Sequence, residues 1–255
     1  MDVVAWMGLN LKRRLHYILV GCAAMLALAG GTLAFSGSIE ASTPRFANFA
    51  RPNFDKAPPP PALDLARRWS LAEIGEFTRL ASDEGICREA LSAVGVNWVE
   101  TPARESEIGC GFESAIGVSG TLASYSSPST MTCPLAARLY LWEMEVVAPA
   151  AEKHLGTTIA SIDVMGTFSC RRVAGTAHLS KHSFGEAIDI AGFKTADGRD
   201  IPVLRTYRTD SPEGQFLREI RRGACGLFDV TLGPDFNLDH ANHFHLDIGG
   251  GYACH

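Results

Sequence analysis

The chain has 255 residues, of which 46% are hydrophobic and 20% charged, close to the globular average, so it can bury a sizeable core in one substantial domain with appendages. Lys and Arg total 23 against 28 Asp and Glu, a formal charge of −5, and no basic run exceeds Lys12-Arg13-Arg14. That excludes nucleic acid as a partner, because displacing phosphate counterions needs a basic face.

Residues 1–35 read as a targeting segment. Behind Lys12-Arg13-Arg14, the stretch from Tyr17 to Phe35 is mostly apolar and uncharged. As a helix it spans about 28 Å, close to the hydrocarbon thickness of a bilayer. The basic flank keeps its own side cytoplasmic, so everything after Phe35 is expected outside the inner membrane. Ala27-Leu28-Ala29 and Thr32-Leu33-Ala34 are both acceptable signal-peptidase sites, and an uncleaved anchor fits equally well. Leu19-Val20-Gly21-Cys22 resembles a lipoprotein site, but the apolar run continues past Cys22, which argues against lipidation.

Residues 36–63 are rich in Ser, Pro and Ala and include Pro58-Pro59-Pro60-Pro61, which favours extended polyproline conformation and cannot form a core. This segment reads as a linker, and residues 64–255 as the folded domain. Helical patterning runs through Leu71, Ile74, Phe77 and Leu80, followed by loop-rich sequence holding Cys87 and Cys110. A helix starts at Cys133-Pro134, where proline suits the first turn, and continues toward Gly156 with Pro149 as a kink. Ala160–Ser169 alternates as a strand with one buried face, and Ala187–Gly192 is a second strand. Asp210-Ser211-Pro212-Glu213 opens a helix that Gly223 ends, and His243–Ile248 is the last strand. The elements mix without a regular βαβ rhythm, so the fold class is α+β, a small antiparallel sheet flanked by helices.

Six cysteines (Cys87, Cys110, Cys133, Cys170, Cys225, Cys254) lie in the exported part. An even number in an oxidising compartment predicts up to three disulfides, whose pairing the spacing leaves open. A cysteine zinc site is disfavoured because no Cys-x-x-Cys occurs.

Chemistry concentrates in Ser180–Asp189 and in His243-Phe244-His245. Ligands of one zinc lie about 2.0–2.2 Å from it, so their donor atoms must converge within a few ångströms. His182 and Asp189 are too far apart on one straight strand, about 23 Å at ~3.3 Å per residue. A chain reversal at Gly185, leading into a strand that carries Asp189, brings them together. His243 and His245, two apart on a strand, share one face. Two imidazoles and a carboxylate leave a fourth position for water, the arrangement of a catalytic zinc, with the remaining His free for acid/base work. The chemistry such a centre performs is amide hydrolysis.

The pattern S-x-H-x-x-G-x-A-x-D followed by H-x-H resembles the LAS metallopeptidases, the group of lysostaphin-type, D-Ala-D-Ala and murein endopeptidases. Cys133-Pro134, Ser169-Cys170-Arg171-Arg172, His182 to Asp189 and Ala191-Gly192-Phe193 resemble, more closely, the extensin-like C-terminal domain proteins of bacteria. The resemblance covers about Leu71 to Cys254, with five motif positions fixed in the first segment and two in the second. It implies His182, Asp189 and His245 as zinc ligands, His243 as catalytic base, and Arg171 as oxyanion stabiliser with Ser180 in support. One branch of the group places a Glu base where this chain has Asn242, so the H-x-H branch is implied, with Glu186 as a fallback base. No role is expected for His240 or His255. Implied function is a zinc peptidase acting on peptidoglycan stem peptides or cross-links in the bacterial periplasm. The alternatives are a non-catalytic zinc-containing peptidoglycan-binding module and a disulfide-stapled structural envelope protein.

Overall fold

A computed structural model describes residues 62–255 of the chain. The expected targeting segment and most of the linker, Cys22 included, lie outside the described residues. Among the described residues, no helix is long and apolar enough to cross a membrane.

The described chain starts with Leu63, Leu65 and Trp69 already in the core, the Trp69 indole donating to the Asp64 carbonyl at 2.8 Å. A short 3-10 turn leads into α1 (Ile74–Ala81) and then α2 (Glu84–Ala93), which Asp83 caps by accepting from the Ile86 amide at 3.0 Å. Five strands follow: β1 (Trp98–Thr101), β2 (Arg104–Glu105), β3 (Gly111–Phe112), β4 (Ala115–Gly120) and β5 (Ser124–Met131). The expectation of loop-rich sequence between Leu80 and Cys133 is therefore corrected. The strand signal is weak because β5 is mostly Ser and Thr and β4 is interrupted by Gly117 and Gly120, leaving Ala115, Ile116, Val118, Tyr125 and Met131 as the buried apolar residues of the pair.

Next comes α3 (Cys133–Trp142), in which every residue but Pro134 is buried, Arg138 among them. A helix apolar all round belongs inside a molecule, and α3 is the central rod of this one. The Arg138 guanidinium is satisfied by the Leu227 carbonyl and the Thr78 hydroxyl and lies over the Phe77 ring at 5.5 Å. A π turn, Glu143–Val147, joins α3 to α4 (Ala148–Leu155), which Gly156 ends in the left-handed conformation at φ 64°. The expected kink at Pro149 is thus this π turn just before it, where the missing proline N–H and its ring disturb the preceding helical bonds.

The remaining elements are β6 (Ile159–Gly166), a 3-10 turn at Lys181–Phe184, β7 (Ala187–Thr195), β8 (Asp200–Pro202), α5 (Val203–Thr206), α6 (Pro212–Ala224), β9 (Val230–Leu232), a 3-10 turn at Leu238–His240, β10 (Phe244–Asp247) and β11 (Ala253–Cys254). Ser211 caps α6 through the Gly214 amide at 3.1 Å. Gly223 lies inside α6 instead of ending it: a Cβ there would come within 2.3 Å of Val146, so the glycine serves close packing against the π turn.

The fold is α+β, as expected, but the sheet is neither small nor wholly antiparallel. Nine strands form it, in the order β1-β4-β5-β6-β7-β10-β9-β11 with β8 on β7, while β2 and β3 pair separately. β5–β6 and β9–β11 are parallel. The first parallel pair follows from the long helical crossover of α3 and α4, since returning a strand in the same direction needs a dozen residues or more. Ile188 and Ile190 on β7 face Leu246 and Phe244 on β10, all fully buried on the helix side. Trp142 ties this face to the helices, its ring 6.3 Å from Phe193 and its indole N–H donating to the Ile220 carbonyl of α6 at 3.1 Å. Alternation then forces Asp189, His245 and Asp247 onto the opposite face.

All six cysteines pair. Cys87–Cys133 joins α2 to α3, Cys110–Cys170 ties the β2–β3 hairpin to the segment after β6, and Cys225–Cys254 ties β11 to the end of α6.

Candidate metal centre

His182 sits in the 3-10 turn that Ser180 caps, its amide donating to the Ser180 hydroxyl at 3.4 Å. Gly185 closes the turn at φ 68°, in the left-handed region that favours glycine. That reversal delivers the chain into β7, where Asp189 stands directly across from His245 of β10 and Gly166 of β6.

Three side-chain atoms converge here. His245 Nδ1 and Asp189 Oδ1 are 2.9 Å apart, His182 Nε2 and His245 Nδ1 3.1 Å, and His182 Nε2 and Asp189 Oδ1 3.2 Å. Donors around a tetrahedral zinc with bonds of 2.0–2.1 Å are about 3.3 Å apart, so the triangle is the right size. The far nitrogens settle the character of its corners. His182 Nδ1 lies 2.7 Å from the Thr167 carbonyl, which only accepts, so Nδ1 carries a proton and Nε2 offers a lone pair. His245 Nε2 lies 3.1 Å from the Asp247 carboxylate, which likewise assigns it a proton and turns Nδ1 inward. The three atoms are placed where they could hold one cation, and two imidazoles with a carboxylate are a donor set that fits zinc.

Without a cation, protons do the holding. Burial pushes His245 down, but its hydrogen bonds to Asp189 and Asp247 raise it to about 9. Burial pushes Asp189 up, yet hydrogen bonds and positive charge from His182 and His245 hold it well below the usual carboxylate range. One proton at His245 Nδ1 cannot serve both Asp189 and the His182 lone pair with good geometry.

His243 borders the triangle. Its Nδ1 lies 2.8 Å from the Asn242 side-chain oxygen, which assigns Nδ1 the proton and leaves Nε2 as an acceptor 3.5 Å from Asp189 Oδ1. Burial lowers its affinity for a second proton. Arg171 is half-exposed with its guanidinium 3.8 Å from Asp189 Oδ2. The expected candidates His182, Asp189, His243, His245 and Arg171 are therefore brought together. Ser180 is buried at the N-terminus of the turn, where its hydroxyl accepts from a backbone amide. Glu186 is held elsewhere, in an ion pair with Lys181 at 2.7 Å.

Sequence reasoning missed three supporting groups. Asp247, two residues after His245, shares its face, and that spacing was the available signal. Ser183 is fully buried; its hydroxyl lies 2.8 Å from the Arg171 carbonyl and accepts from the Arg171 amide at 3.1 Å, clamping the Arg171 backbone to the turn. His240, given no role, stands with its ring 5.1 Å from that of His243, and Phe236 packs between His240 and His255, forming a ring-lined wall beside the centre.

Neither the curated proteins nor the solved structures yield a match. Residues 85–255, which contain every member of the centre, match the family described as Extensin-like protein C-terminus, and the chain belongs to that family.

Proposed function

We propose that this chain is a zinc-dependent peptidase with a LAS-type fold, hydrolysing amide bonds in peptidoglycan stem peptides or cross-links outside the cytoplasmic membrane. The observation that carries this reading is the convergence of three potential ligand atoms within 3.2 Å, with a fourth imidazole nitrogen alongside that is not needed to complete the set. His182, Asp189 and His245 hold the metal. Bound there, zinc supplies Lewis acidity, polarising a carbonyl and bringing the pKa of water toward about 7.

His243 works as the general base, its Nε2 open toward the centre and its Nδ1 anchored on Asn242; the proton it takes is returned to the leaving amine. The Arg171 guanidinium stands where negative charge would gather on the attacked carbonyl oxygen, held in place through its backbone by Ser183. The Ser180 cap orients the turn that carries His182. Three disulfides suit an oxidising, extracytoplasmic site of action.

The test is zinc content together with digestion of purified muropeptides by the full chain, wild type against His243→Ala. One zinc per chain in both proteins is expected, with hydrolysis falling by about 10²–10⁴-fold in the variant, the contribution of a general base. Zinc without cleavage of any muropeptide replaces the peptidase with a binding module, and absence of zinc overturns the metal reading.

A further inference from the structure

Asp247 is an aspartate that the proposed ligand set does not include, yet it is 6% exposed and forms only one side-chain hydrogen bond. Its Oδ2 accepts from His245 Nε2 at 3.1 Å, while Oδ1 is buried with no partner. Burying a carboxylate with half its acceptor capacity empty is costly, and positive charge close by is what makes it tolerable. The turn that follows passes close to it. Gly249 adopts φ 74° and donates its amide to Asp229 Oδ2, and a Cβ on Gly250 would stand 3.4 Å from Asp247 Oδ1. Lys181, which lies beside the same glycine turn, is engaged by Glu186.

We propose that Asp247 is a positioning residue that sets the tautomer of His245 and balances the charge of a divalent metal at the neighbouring centre. This rests on the zinc reading above and deepens it. Holding a proton on Nε2 leaves Nδ1, the atom facing Asp189 and His182, as the free donor. Asp189 and Asp247 together contribute two negative charges, which match a divalent cation and leave neutral imidazoles to complete the set. Asp189 alone would leave an excess positive charge at the metal.

The test is zinc affinity of the full chain, by competition with a chromophoric chelator, for wild type, Asp247→Asn and Asp247→Ala. Asparagine preserves shape and an acceptor for Nε2 but removes the charge, and alanine removes both. Zinc affinity is expected to drop about 10-fold in Asp247→Asn and up to about 100-fold in Asp247→Ala, the range for a group supporting a metal-ligating histidine. In zinc-loaded wild type, ¹⁵N shifts of His245 should report the proton on Nε2 and the metal on Nδ1, a signature that a purely packing role for Asp247 would not require. If wild type binds zinc and both variants bind it within twofold, or if His245 carries its proton on Nδ1, this inference falls while the metal centre stands. If wild type binds no zinc, both fall.

Discussion

Two acidic sites, Glu143 buried and Asp189 partly buried, are built in opposite ways. Glu143, at the start of the π turn, is surrounded by donors: the Thr121 hydroxyl, the Leu122 and Ala123 amides at 3.1 and 2.6 Å, and the Tyr125 hydroxyl at 3.4 Å. Asp189 is flanked by ring nitrogens of His182 and His245 at 3.2 and 2.9 Å, each ring anchored on its far side by the Thr167 carbonyl or the Asp247 carboxylate. Burial pushes Glu143 up to about 7 despite its donors, whereas Asp189 is pulled down. The first arrangement is complete in itself and latches the β4–β5 turn onto the helical rod. The second gathers ligand-type atoms around the carboxylate, and on the zinc reading proposed above that difference separates a structural carboxylate from a functional one.

The sharpest way to break the contrast is to treat both alike. Asp189→Asn should lower zinc affinity by more than the roughly 100-fold that a supporting residue costs, read by chelator competition. Glu143→Gln should leave zinc affinity unchanged and act on stability instead. Because the folded Glu143 titrates near 7, above its ordinary value of 4.5, its contribution is fully present below about pH 4.5 and is lost as pH rises through about 7. Wild type should therefore lose about 3 kcal/mol over that window relative to Glu143→Gln, measured by urea unfolding at pH 4.5 and 7.5. The smallest effect is expected at Glu186. Its ion pair with Lys181 is part-exposed, so Glu186→Gln should cost no more than about 1 kcal/mol and leave zinc affinity and muropeptide hydrolysis within about twofold. A larger loss of hydrolysis would return Glu186 to candidacy as the base.

The residues of the centre were legible because their constraints are local. Gly185 marks the reversal, and the two-residue spacing of His243 and His245 assigns them one face. What escaped was supplied by distant chain. The Thr167 carbonyl that fixes the His182 tautomer is a backbone group and leaves no trace in residue identity. Asp247 obeys the same two-residue rule as His245, but an aspartate near a chain end reads as solvated until its burial is known. Much of the sheet was invisible because Gly117, Gly120 and the serines of β5 carry no apolar alternation, and their pairing is fixed by neighbours across the sheet. Disulfide partners are likewise a matter of distance in space: Cys110 and Cys170 are 60 residues apart in sequence and 5.6 Å apart at Cα.

The Cys225–Cys254 bridge also fixes how one margin of the sheet ends. It holds the two-residue strand β11 along β9, leaving that margin of the sheet short and blunt, while the opposite margin, β1, presents Val99 two-thirds exposed beside a free row of peptide groups. With the bridge oxidised, β11 is tied along β9; once it is reduced, only the main-chain pairing of a two-residue strand covers that margin, and self-association by edge pairing is expected to rise under reducing conditions, read by light scattering.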